Sequence, residues 1–105
     1  MKMNFEELHK ALLDWAKDRN LLDADPHIQF SKIVEELVET SAAYNKHHHD
    51  DLLDSVGDLL VTISIFCHQL GIDPVDCLSM AYEEIADRTG KTINGSFVKD
   101  ADLHG

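Results

Sequence analysis

The segment from His49 to Leu70 constrains this chain most. It begins with Asp51, Asp54 and Asp58 at helical spacing and then runs into Leu59, Leu60 and Val61. Beyond Asp58 it is apolar almost all round, so a helix here must be central to its fold. Residues three and four apart share a helix face, which sets Asp54 beside both Asp51 and Asp58. Asp58 therefore carries a carboxylate into apolar surroundings, where an unpartnered charge is costly. Gly57 precedes it. A glycine inside a helix costs about 1 kcal/mol relative to alanine, a cost that close approach of a backbone or ligand would justify.

Three further helices are punctuated locally, with boundaries expected near 4–19, 26–46, 50–70 and 74–89. Asn4 with Glu7 makes a capping-box pattern ahead of the stripe Phe5, Leu8, Leu12 and Trp15. Asp25-Pro26 and Asp73-Pro74 each pair an N-cap acceptor with proline at the first helical position. Gly71 is the expected stop of the third helix. In the second helix Phe30, Ile33, Val34, Leu37, Ser41 and Tyr44 form the apolar side. Gln29, Lys32, Glu35, Glu36 and Glu39 lie nearly opposite, at about 100° per residue. Residues 90–105 form a tail without helical periodicity, in which Thr92 to Val98 could make a short extended segment around an Asn94-Gly95 turn. The expected fold is all-α: one domain, residues 1–105, shaped as a four-helix bundle with a short non-helical tail.

Folding back over the short polar loop Asn45–Asp50 makes the second and third helices antiparallel neighbours. Glu35, Glu36 and Glu39 then stand opposite Asp54 and Asp58. Facing carboxylates need a cation between them, and hard divalent ions such as Mg²⁺ take oxygen ligands of this kind. A solvated acidic face is the plainer reading of the glutamates alone. Asp58 tips the balance towards metal binding, because a solvated carboxylate has no reason to enter the apolar half.

Other readings are narrower. His47-His48-His49 is too closely spaced for a tetrahedral site and reads as an interhelical turn. Only Glu6-x-x-His9 fits the di-iron pattern, which needs two such pairs. Nine Lys+Arg against 20 Asp+Glu give a net charge of −11, which argues against coating a nucleic-acid polymer or an anionic membrane. No segment approaches the roughly 20 apolar residues of a membrane span. The N-terminus lacks a secretory signal, and Cys67 and Cys77 read as buried thiols of a reducing compartment, so a cytoplasmic protein is expected.

Glu35-Glu36-Leu37-Val38-Glu39, followed by Asp54-Ser55-Val56-Gly57-Asp58-Leu59-Leu60, resembles the paired motif of the MazG-like all-α nucleoside triphosphate pyrophosphohydrolases. That family carries E-E-x-x-E on one helix and E-x-x-D on the next. The lead-in from Pro26 to Lys32 and the segment from Cys77 to Lys99 are also similar, so the resemblance spans about residues 12–99. One position departs: Ser55 stands where the family has glutamate, and Asp54 is the nearest substitute carboxylate.

The resemblance implies hydrolysis of a nucleoside triphosphate to the monophosphate and pyrophosphate with Mg²⁺, for which Mn²⁺ is the expected substitute. It implies Glu36, Glu39 and Asp58 as metal ligands and Glu35 as ligand or water-orienting base. Lys32, Arg88, Lys91 and Lys99 are candidates for the phosphates, and Gln29, Trp15 and Asn94 for base and sugar. It also implies a homodimer or homotetramer with sites near subunit contacts. The rival reading is a non-catalytic acidic helical module that binds metal or a partner protein.

Overall fold

The helix ends follow from local chemistry. In a computed structural model describing residues 2–103, the first helix, α1, runs Phe5–Asp18. The Asn4 side chain accepts from the Glu7 amide at 2.8 Å, and the Glu7 carboxylate accepts from the Asn4 amide at 3.3 Å. A single 3₁₀ turn, Leu21–Asp23, leads to the second helix, α2, Pro26–Asn45. There the Asp25 carboxylate accepts from the His27 amide at 2.9 Å. The third helix, α3, runs His49–Gln69.

Both α2 and α3 end in the same way. The Ile72 amide donates back to the Cys67 carbonyl and the Gly71 amide to that of His68, with Gly71 at φ 71°. At the end of α2, the His48 amide donates to Ala43 and the His47 amide to Tyr44, with His47 at φ 57°. This is the glycine-type helix terminus. At His47 it is built from a residue that pays for the left-handed conformation. His47→Gly is therefore expected to stabilise the chain by up to about 1 kcal/mol, read from urea unfolding. A loss of stability would show that the histidine ring makes a compensating contact.

The chain divides into two compact units, Met1–Pro74 and Val75–Gly105. In the first, α2 and α3 pack along their length, while α1 packs on the 3₁₀ turn and more sparsely on α3. The inner stripe of α2 is Gln29, Ile33, Glu36, Thr40 and Ala43, spaced three and four apart. That of α3 includes Leu52, Ser55, Asp58, Leu59, Thr62 and Ile65. This corrects the expected facing of α2. Apart from Ile33, its apolar side lies exposed, with Leu37 56% accessible, and on α3 Leu60 is 57% accessible. The buried apolar core amounts to Ala16, Ala43 and Ile65 among the described residues.

The fourth helix, α4, runs Pro74–Ile85 and stops short of the expected 89. The second unit then adds what the sequence only hinted at, a hairpin of β1 (Gly90–Ile93) and β2 (Ser96–Lys99). Asn94 at φ 52° and Gly95 at φ 83° form the two-residue turn that antiparallel strands favour. Gly90 faces Lys99, and a Cβ at Gly90 would collide with the Val98 carbonyl and the Phe97 ring. A one-turn helix, α5 (Asp100–Leu103), follows, and Asp100 closes the hairpin by accepting from the Thr89 hydroxyl at 2.5 Å. No single helix among the described residues is long and apolar enough to cross a membrane.

Candidate active site

The inner stripes of α2 and α3 bring carboxylates together. Glu36 on α2 and Asp58 on α3 are both half-buried, whereas Glu35, Glu39 and Asp54 are exposed. Burial foremost, then the charges of Glu39 and Asp58, a hydrogen bond with Glu39 and the charge of Glu35, push the Glu36 carboxyl above its ordinary pKa. Its Oε2 atom is shielded from solvent and accepts no hydrogen bond. An orphaned, shielded carboxylate oxygen among three like charges is what a hard cation would satisfy, so the donor set fits a divalent ion with oxygen preference. The carboxylates are neighbours without being a closed ligand shell. Among the described residues no three His, Cys, Asp or Glu side chains converge at metal-ligand geometry.

Asp54 is not among the groups that act on Glu36. One residue further along α3, Ser55 is buried on the face towards α2. The position that carries glutamate in the resembling motif therefore points inward here with a hydroxyl, and the substitute carboxylate points elsewhere.

The remaining candidates divide by element. Gln29 is 3% exposed and donates from Nε2 to the Thr62 carbonyl at 3.2 Å, so its amide is spent on joining α2 to α3. Lys32 is exposed on α2, with no ion pair to Glu35 or Glu36 among the described residues. Trp15 is half exposed on α1, and the Arg19 guanidinium lies 4.3 Å from its ring centroid. The spacing of four between Trp15 and Arg19 is the sequence signal of this pairing.

In the second unit Arg88 pairs with Glu84 at 3.4 Å, Asn94 serves the turn, and Lys91 and Lys99 are exposed on the two strands. Lys99 sits opposite Gly90 and Lys91 opposite Val98, so the two lysines lie on opposite faces of the hairpin.

Two sequence readings change. A Cβ at Gly57 would meet nothing within 4 Å, so the close approach that would justify a glycine is not made within the chain. Cys77 is exposed rather than buried, while Cys67 is half-buried. Of the histidine triplet, His47 and His48 lie in the interhelical turn and His49 opens α3. His47 takes the left-handed position, and His48 lies 3.3 Å from the Asp51 carboxylate. Changing all three to alanine is expected to alter any metal-dependent turnover less than tenfold at saturating Mg²⁺. A larger loss would place that turn in the site.

A helical hairpin with carboxylates across its interface is the arrangement the resemblance implies, and a family match places the chain in the MazG-like all-α superfamily of nucleoside triphosphate pyrophosphohydrolases. Within that superfamily the chain belongs to the phosphoribosyl-ATP pyrophosphohydrolase family, which matches residues 5–88. The match takes in both acidic segments and stops before the β1–β2 hairpin. The chain is also similar to an uncharacterized 18.2 kDa protein from the rep-hol intergenic region of Haemophilus phage HP1 (strain HP1c1). The two are 38% identical over 73 residues, which make up 69% of this chain and 45% of the phage protein. The chain thus spans about half the length of this curated relative. No solved structure matches it.

Proposed function

We propose that the chain hydrolyses a nucleotide at a phosphoanhydride bond, releasing pyrophosphate and a nucleoside monophosphate, with Mg²⁺ held by Glu36, Glu39 and Asp58. The observation that carries this reading is Glu36, with a shielded, unbonded carboxylate oxygen set among Glu35, Glu39 and Asp58. Bound there, Mg²⁺ would supply charge neutralisation at the phosphates and a lowered pKa for an attacking water. Glu35, exposed beside the cluster, is a further ligand or the base that orients this water. Lys32, one turn earlier on α2, offers an ammonium to a phosphate oxygen.

A panel of ribo- and deoxyribonucleoside triphosphates together with phosphoribosyl-ATP tests the reading directly. Mg²⁺-dependent release of pyrophosphate from at least one is expected. Metal binding without release from any would favour the non-catalytic acidic module. Phosphoribosyl-ATP belongs on the panel because the matching family is described by that substrate.

Asp54 and Ser55 are expected to matter less than Asp58. Asp54→Asn should raise the Mg²⁺ concentration for half-maximal rate several-fold, since it can serve only from the edge of the cluster. Ser55→Ala should leave it within about twofold. Equal effects of the two would exclude Asp54 from the ligand set.

Lys91 and Lys99 are proposed contacts to the phosphates. Because they lie on opposite hairpin faces, Lys91→Ala and Lys99→Ala should act unequally. One is expected to raise KM about tenfold or more, the size of a lost charge-assisted bond. Unchanged KM in both would remove the hairpin from the site.

The exposed apolar sides of α2 and α3 support assembly as a homodimer or homotetramer. Phe30, Val34 and Leu37 on one helix and Leu53, Val56 and Leu60 on the other are all largely accessible in one chain. Contiguous apolar surface of this kind marks an interaction site. Sedimentation equilibrium should give a mass at least twice the 11.8 kDa of one chain.

A further inference from the structure

His9 and His68 lie outside the acidic cluster and have no part in the proposed hydrolysis. Their Nε2 atoms are 3.2 Å apart, and the ring centroids are 5.3 Å apart with planes at 38°. His9 is on α1 and His68 in the last turns of α3; both are half-buried, and Phe5 stacks beside His9 with centroids 6.3 Å apart. Two imidazole nitrogens that point at each other either share a proton or share a metal. Zinc–nitrogen bonds of about 2.0–2.1 Å at a tetrahedral angle set two ligand nitrogens about 3.3 Å apart. The pair already stands at that spacing.

We propose that His9 and His68 form a two-imidazole clip for a borderline transition-metal ion, such as Zn²⁺ or Ni²⁺, that joins α1 to α3. The ion takes the place of the proton between the two rings, which moves to Nδ1 of the donor ring so that both rings stay neutral. Both Nε2 lone pairs must then be free, which requires neutral rings. Burial foremost, and the adjacent His9, hold the His68 pKa below its ordinary value, while Asp73 opposes them. A neutral His68 ring is the form that can ligate. Imidazole suits such ions and not Mg²⁺, so the clip and the carboxylate cluster choose different metals. Water fills the other coordination positions, because no third protein ligand converges on the pair among the described residues.

The clip matters to the fold because α1 is the loosely held element. It meets α3 across an open apolar groove of about 420 Å³, walled by Phe5, Leu8 and Leu12 on one side and Leu60 and Val61 on the other, with His9 in its lining. An ion on His9 and His68 would tie the groove's two walls together.

Calorimetric titration of the full chain with Zn²⁺ tests this, in the variant with His47, His48 and His49 changed to alanine and with excess Mg²⁺ throughout. The first measure removes competing imidazoles and the second occupies the carboxylates. One equivalent of Zn²⁺ is expected to bind, with a rise in Tm. His9→Ala and His68→Ala should each weaken binding at least tenfold, and binding should fall away below about pH 5.5. Unchanged zinc affinity in both single variants would overturn the proposal, as would the absence of any zinc-dependent rise in Tm. The native chain gives a second readout that needs no folded variant: the ring-proton resonances of His9 and His68 should shift together at substoichiometric zinc. If they stay while other signals move, the clip does not exist. Neither result depends on pyrophosphate release, so failure here leaves the hydrolytic reading standing, and the reverse holds.

Discussion

Asp58→Asn and Glu39→Gln are each expected to abolish Mg²⁺-dependent pyrophosphate release, lowering kcat/KM by about 10³-fold or more. The lost stabilisation is several kcal/mol at the transition state, and each 1.4 kcal/mol is about a factor of ten. The two residues come from different helices, α3 and α2, so the pair tests the interface as well as the ligands. Helical content should be unchanged by circular dichroism. Each substitution removes a negative charge from a repelling cluster, and neither side chain forms an ion pair with a cation among the described residues. Near-native rates in either variant would show that the cluster is a solvated face and not a metal seat.

Glu36→Gln is expected to raise the melting temperature of the metal-free chain and to remove most of its response to Mg²⁺. Glu36 titrates above its ordinary range in the folded state. A carboxyl shifted upwards contributes stability while protonated, below about pH 4, and loses that contribution as pH rises through the folded-state value. At neutral pH the ionised group therefore works against the fold. The variant should melt above the native chain at pH 7, and the gap should close on acidification to pH 4.

Mg²⁺ should do the opposite for the native chain. A ligand that binds only the folded state adds about 2.7 kcal/mol at a hundredfold excess over Kd. For a domain of this size that is on the order of 10 °C. Ionic strength must be held constant, because screening alone also relieves repulsion. Equal Mg²⁺ shifts in the two proteins would refute the assignment of Glu36 as the seat of the ion.

The helix ends were legible because their causes are local. Asn4 with Glu7, Asp25 with Pro26, and Gly71 each act within a few residues, and each appears in the structure in that role. The facing of α2 was not legible in the same way. A helical wheel puts the most apolar stripe inward on the premise that the chain supplies its own partner. Here the inward stripe is Gln29, Ile33, Glu36, Thr40 and Ala43, and the more apolar side stays accessible. Glu36 also parts from Glu35, since adjacent residues are about 100° apart on a helix.

The extended segment around the Asn94-Gly95 turn was legible, but the extent of its pairing, out to Gly90 and Lys99, was not. Gly90 and Lys99 face each other through the register that the turn sets, and neither carries a strand signal alone. His9 and His68 are 59 positions apart, and no local pattern joins them.

The bond from Gln29 to the Thr62 carbonyl acts as an index mark between two helices. A pair of antiparallel helices with apolar contacts can slide by a turn, about 5.4 Å, and still bury similar area. A buried amide resists such a slip, because its donor would have to find another carbonyl in the new alignment. A single buried polar group can fix helix register at some cost in stability. Seven residues beyond Gln29 on α2 lies Glu36, and four residues before Thr62 on α3 lies Asp58. One neutral side chain thereby helps to set which acids meet.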